Sequence, residues 1–207
     1  MKLPSNPSAF PLRIEPFSNV PDILASGEVK TPWPWGNPFK KVPSYVTSSL
    51  FSFPKQASKI CKSLSNQIKN KLPKIDIVLA PAMGGIIIGY EIGKLLNIET
   101  IFCERVEKKF VLRRGFHIKK NSKVLIVEDV ITTGKSSLEC AKLINKFGAK
   151  LAGFSCIINR SDKNKLKIKN KKIISHMKIH IPTYHPNNIP KNLKKIKITK
   201  PGSRFLK

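Results

Sequence analysis

Acidic residues are scarce in this chain: 12 Asp and Glu stand against 39 Lys and Arg in 207 residues, and none follows position 162. Any carboxylate chemistry must therefore sit in the first three-quarters of the sequence. Arginine is scarce too, at 6 of the 39 basic residues, whereas readout of bases and phosphates favours the bidentate guanidinium fork. Cysteine is limited to Cys61, Cys103, Cys140 and Cys156 with no CxxC spacing, which excludes a disulfide framework or a cysteine zinc site and reads as reduced thiols of a cytoplasmic protein. No run is long and apolar enough to span a membrane, and no charged-then-apolar leader opens the sequence. The net charge of +27 is unevenly placed: residues 75–162 carry 14 basic against 9 acidic residues, while residues 163–207 carry 14 basic and no acidic ones. Charge concentrated outside the motif-bearing stretch reads as a solvated lysine surface, and nucleic acid is not the expected partner.

What is present divides at about residue 54. Ten of the sixteen prolines fall in residues 1–54, and proline fixes φ and removes a donor, so this part is expected to be an irregular arm packing through Trp33, Trp35, Phe39 and Tyr45. Residues 55–207 form the second unit. Ala57, Ile60, Leu64 and Ile68 recur at helical spacing through Lys71, which predicts an amphipathic helix. Strand and helix patterns then alternate: strands at 75–80, 98–103, 123–129, 151–160 and 171–181, helices at 85–96 and 135–148, and an extended, charged excursion at 110–118. Alternation with β-branched runs predicts an α/β fold, a central parallel sheet flanked by helices. Ligands of such sheets sit at the carboxyl ends of the strands.

One of those ends reads Glu-Asp-Val-Ile-Thr-Thr-Gly-Lys-Ser, residues 128–136. A helix starting near Lys135 leaves the amides of 132–136 unpaired and able to take a phosphate, with Gly134 allowing close approach and Thr132, Thr133 and Ser136 adding hydroxyls. Two carboxylates would repel that phosphate, so Glu128 and Asp129 are expected to meet hydroxyls of the same ligand. A ribose 5-phosphate satisfies both halves. A nucleoside-triphosphate loop would need Gly five residues before Gly134, where Asp129 stands, and no GxGxxG follows any strand.

Residues 124–136, VLIVEDVITTGKS, resemble the phosphoribosyl-pyrophosphate signature of the type I phosphoribosyltransferases. PAMGGIIIGYEIGKLL, then ER, LRRGF, PTY and KPGSR in that order are similar to the orotate branch of that family. The resemblance implies transfer of a phosphoribosyl group to orotate in pyrimidine synthesis, with Mg²⁺ as cofactor, a homodimer, and no protein residue assigned as metal ligand. It implies that phosphoribosyl pyrophosphate is held by Glu128, Asp129, Val130, Ile131, Thr132, Thr133, Gly134, Lys135 and Ser136, by the loop at Ala82, Met83 and Gly84, and by Arg105 across the dimer interface. Asp129, Lys108 and Lys109 fall at catalytic positions, with the choice between the lysines open, and Thr132 and Arg160 fall where the family contacts orotate. His176 and His180 share a strand face, but two histidines are too few for a zinc site.

One departure and one expectation about the loop that corresponds to the family's mobile catalytic loop complete the reading. Residues 1–44 lack the stretch by which the family covers its base, which leaves an impaired homologue or a non-catalytic regulator on the same fold as alternatives. The segment 105–116 counts Arg105, Lys108, Lys109, Arg113 and Arg114 against Glu107 alone, with few apolar anchors, so it is expected to be poorly ordered until an anion arrives.

Overall fold

The computed structural model of the chain describes residues 50–72, 74–161, 171 and 173–179. The proline-rich arm, His180, most of the basic stretch 163–207 and the PTY and KPGSR segments lie outside them.

The first helix, α1 (Pro54–Lys71), has proline in its first turn, where the missing N–H costs nothing, and Lys69 and Lys71 in its last turn against the negative end of the dipole. It buries Ala57, Ile60, Leu64 and Ile68, the stripe expected from the spacing. Next come β1 (Ile77–Pro81), α2 (Gly85–Leu96), β2 (Glu99–Val106), β3 (Lys109–Val111), β4 (Lys123–Ile131), α3 (Lys135–Lys146), β5 (Lys150–Asn159) and β6 (Ile173–Lys178). The strands form a sheet in the order β3-β2-β1-β4-β5-β6. All neighbours are parallel except β2 and β3, which pair antiparallel as a hairpin. The excursion expected at 110–118 thus begins as a sheet edge strand, and β2 and β4 run further than their apolar cores, to Val106 and Ile131.

Side chains alternate across the sheet, and the two faces are covered by different helices. Leu125 and Val127 meet α1 and α2 through Ile60, Leu64, Ile88 and Ile92. Val124 and Ile126 meet α3 through Cys140, Leu143 and Ile144. Every residue of β1 is buried, as a central parallel strand requires.

Glycines seat α2 closely on the sheet. A Cβ on Gly89 would stand 2.6 Å from Ala80 Cβ, and one on Gly93 would stand 1.6 Å from Thr100 Oγ1. Gly93→Ala must push the helix off β2, and overpacking of this kind costs about 1–3 kcal/mol; a fall in thermal midpoint of several degrees checks it, whereas an unchanged midpoint would mean that α2 is not seated as described.

Burial sets a second expectation. All four thiols are buried and free. Desolvation, then the neighbouring Glu91 charge, pushes the Cys61 thiol from 9.0 up to about 12, and burial also drives Cys156 upward. A thiol whose folded pKa is raised holds its proton longer in the native state, so its contribution is complete below pH 9.0 and is lost as pH climbs toward 12. Urea midpoints should therefore fall above pH 9, and Cys61→Ala should flatten that slope; an identical slope in the variant would contradict the assignment.

Candidate active site

Strand β1 ends before its neighbours. Pro81 pairs with Cys103 of β2, and continuing the Leu79–Ile126 register puts Pro81 level with Glu128 of β4. Both neighbours then run on for three more residues, to Val106 and Ile131, an overhang of about 10 Å at the rise of a strand. The early stop leaves a notch at the carboxyl edge of the sheet, at the point where chain order reverses from β1 outward. That is where open α/β sheets bind ligands.

The loop after β1 forms the floor. Ala82 N–H donates to the Cys103 carbonyl at 2.8 Å, the Ala82–Met83 peptide is cis, and Met83 is 82% exposed. A Cβ on Gly84 would lie 2.8 Å from Asp129 Oδ2, and one on Gly85 would lie 2.9 Å from the Val127 carbonyl. The glycines let this loop lie directly against the end of β4.

One wall is β4 with the turn that follows. Glu128 and Asp129 were expected as an exposed pair acting together. Because the strand continues through them, they point to opposite faces. Glu128 is only 8% exposed and lies toward α3, near enough to raise the Cys140 and Cys156 thiols. Asp129 faces Gly84 and accepts the Val130 N–H through Oδ1 at 2.7 Å. The continuing β-branched pair Val130 and Ile131 was the available signal for this. Thr132 and Thr133 are exposed, and Gly134 takes a left-handed conformation, φ 70°, to open α3 with no side chain capping it. Thr133 Oγ1 accepts weakly from Lys135 N–H at 3.4 Å. The N-terminal amides of α3 thus open onto the notch, with Ser136 half-buried beside them.

Arg160 joins this wall from β5. Its N–H donates to the Ile131 carbonyl at 2.8 Å, which sets Arg160 beside Thr132. Its Nε is buried without a hydrogen-bond partner among the described residues, and burial lowers its pKa. A desolvated guanidinium donor left unpaired favours an incoming carboxylate.

The other wall is the β2–β3 hairpin, and here the expected disorder gives way to a built structure. Glu107 and Lys108, with φ of 46° and 65°, make a two-residue turn of the kind whose twist matches paired strands. Phe110 and Ile118 are buried, with Leu112 and Phe116 packed against the same cluster. The cations are also paired: Arg114 with Glu104 at 2.8 Å, Arg113 with Glu104 at 3.7 Å, and Arg105 with Glu139 of α3. Counting carboxylates only inside the loop missed both partners; Glu104 immediately precedes it, and Glu139 is 34 positions from Arg105. The notch thus brings together Ala82, Met83, Gly84, Asp129, residues 130–136 and Arg160, sets Glu128 behind α3, and holds Arg105 within the hairpin.

Comparison with known proteins accords with this geometry. Residues 52–188 match the model of the phosphoribosyl transferase domain family, and the chain belongs to that family. Its curated relatives narrow the kinship: an orotate phosphoribosyltransferase of Parvibaculum lavamentivorans is 40% identical over 166 residues, covering 79% of this chain and 84% of that protein. One of Helicobacter pylori is 41% identical over 144 residues, covering 70% and 68%. Among solved structures, adenine phosphoribosyltransferase from Thermoanaerobacter pseudethanolicus superposes with a TM-score of 0.55 at 17% identity, covering 63% of this chain and 84% of that one. The Leishmania tarentolae enzyme gives 0.53 at 20%, covering 64% and 74%. At these identities the structures speak for the fold alone.

The helix terminus yields its own test. Millimolar inorganic phosphate should raise the thermal midpoint by binding the native state. Ser136→Asp puts a carboxylate at the positive end of α3, which supports the helix by about 0.3–1 kcal/mol while repelling the anion. The variant should melt no lower than the parent and show no phosphate-induced rise; a retained rise would place the anion elsewhere.

Proposed function

We propose that this chain transfers the phosphoribosyl group of 5-phosphoribosyl 1-pyrophosphate to a ring nitrogen of orotate, giving orotidine 5′-phosphate and pyrophosphate in the synthesis of pyrimidine nucleotides. The observation that carries this reading is the notch at β1, bordered by the N-terminus of α3, the Asp129 carboxylate against Gly84, and Arg160, whose buried Nε has no hydrogen-bond partner among the described residues. The relatives at about 40% identity supply the choice of orotate.

The 5′-phosphate rests on residues 130–136, held by free amides and the dipole of α3. Asp129 accepts the ribose hydroxyls and stays fixed against Gly84, while Glu128 supports the strand end from behind. The pyrophosphate lies along the backbone of Ala82, Met83 and Gly84 with Lys108 and Lys109 above it, and Thr132 and Arg160 take the orotate carboxylate. The bond from C1′ to the pyrophosphate oxygen breaks as the C1′–N bond forms, so positive charge develops on the sugar and negative charge on the leaving group. Asp129 on one side and the lysines on the other match that separation, and positioning supplies the rest.

The donors at the notch, one half-buried carboxylate among hydroxyls and amides, fit a Mg²⁺ held largely by oxygens from outside the protein. Asp129 would be the side chain to hold it, and the ion would supply positive charge to offset the charge of the pyrophosphate. Four buried thiols without a disulfide suit the cytoplasm. Exposed Ile87 and Tyr90 of α2, with Met83 of the loop before it, lie beside the notch, a surface suited to pairing two copies as a homodimer.

The test is the fall in orotate absorbance on adding phosphoribosyl pyrophosphate and Mg²⁺, with adenine as a control that should not be consumed. Asp129→Asn should lower kcat/KM by about 10- to 100-fold, the range of one charge-assisted hydrogen bond, and keep the thermal midpoint. Consumption of adenine, or an unaltered kcat/KM in the variant, would reject the reading.

A further inference from the structure

We propose that Asn159 is a positioning residue for this reaction: its side chain folds the turn after β5 around Arg160 and so aims the guanidinium at the carboxylate of orotate. The inference rests on the function proposed above. Its starting point is where the hydrogen bonds of a buried amide go. Asn159 is only 7% exposed, and its Oδ1 accepts the Ser161 N–H at 2.9 Å and the Ser161 hydroxyl at 2.6 Å. A side-chain oxygen that takes the N–H two residues on makes an Asx turn, in which the side chain stands in for a backbone carbonyl. The residue enclosed by that turn is Arg160.

Arg160 is thereby held on both sides of its Cα. On one side its own N–H donates to the Ile131 carbonyl at 2.8 Å, which carries the β4–β5 ladder one residue past the strand. On the other side the Ser161 N–H is fixed by Asn159. Asn159 is itself anchored to both neighbouring strands. It pairs with Ile131 of β4 and Lys178 of β6, and its carbonyl accepts the Ile179 N–H at 2.9 Å. One amide thus passes the rigidity of the sheet to the arginine backbone and fixes the direction in which that side chain leaves it. An amide oxygen has two lone pairs, and Ser161 takes both. Oδ1 therefore has none left for a substrate and acts through Arg160.

The arginine has a use for this support. Its Nε is buried with no hydrogen-bond partner among the described residues, and desolvation lowers its pKa. Such a donor is placed for a partner that arrives with the ligand. A planar guanidinium meets a carboxylate through two bonds only when the two planes align. A long side chain free at its root would have to be ordered on binding, at a cost in affinity. The same fit gives specificity. Uracil has the ring of orotate without the carboxylate and would leave the buried Nε unpaired, and sites built to pair one polar group reject the analogue that lacks it.

The test uses two nucleotides that differ only in that carboxylate, orotidine 5′-phosphate and uridine 5′-phosphate, titrated by calorimetry so that turnover is not needed. The parent should bind the first more tightly. Asn159→Ala should bind orotidine 5′-phosphate about tenfold more weakly and uridine 5′-phosphate within about twofold of the parent. In the assay its KM for orotate should rise about tenfold, with the KM for phosphoribosyl pyrophosphate within about twofold. Asn159→Asp keeps an acceptor for both bonds and should return these values to within about threefold of the parent. Ser161→Ala leaves β5 untouched and removes one of the two bonds, so it decides the matter even where Asn159→Ala folds poorly; orotidine 5′-phosphate should weaken about threefold. The double variant Asn159→Ala/Arg160→Ala should be no worse than Arg160→Ala alone. Equal losses for the two nucleotides would mean that the turn only holds the fold, and undiminished binding of orotidine 5′-phosphate would mean that Arg160 needs no turn; either overturns the proposal while the function stands. A parent that neither distinguishes the nucleotides nor consumes orotate would reject the function, and this role with it.

Discussion

The site depends on one constraint, the length of β1 relative to its neighbours. A parallel sheet satisfies its backbone only while strands lie side by side, so a central strand that stops at Pro81 leaves the ends of β2 and β4 to find other partners. β4 finds β5, with which it pairs to Ile131–Asn159. β2 folds back on itself as the β3 hairpin. The space between them is then floored by the loop after β1 and edged by the turn after β4, and such loops carry glycine, hydroxyls and free amides where paired strands do not. The close seating of α2, achieved by Gly89 and Gly93, holds the floor of that space tightly to the sheet.

Electrostatics divide the notch into ends. At one end the α3 terminus presents backbone amides beside the hydroxyls of Thr132 and Thr133. Asp129 occupies the middle, fixed by Gly84 on one side and its own strand on the other. The hairpin supplies the cationic end, but with most of its arginine charge already matched by Glu104 and Glu139.

Much of this was legible before any coordinates. The stripe Ala57, Ile60, Leu64 and Ile68 gave α1 by its period, the β-branched runs gave the buried strands, and the 128–136 segment gave the turn that opens α3 and the family. The element order along the chain followed from those patterns because helical and strand periods are properties of neighbouring residues. The hairpin was misread for the same reason: its apolar anchors, Phe110, Leu112, Phe116 and Ile118, are spaced too irregularly to register as a period, and they show their role only against the α3 face of the sheet.

The sequence by itself determined which residues could form helices and strands, which family the chain belongs to, and that a phosphate-bearing sugar was the ligand to expect. Tertiary structure alone decided that Glu128 and Asp129 part to opposite faces, that β1 yields first, and that Arg105 is held by Glu139. The physical reason is separation along the chain. Crossover connections place β1 between β2 and β4 and bring α3 over β2, so the contacts that set the site join residues tens of positions apart, which no local pattern encodes.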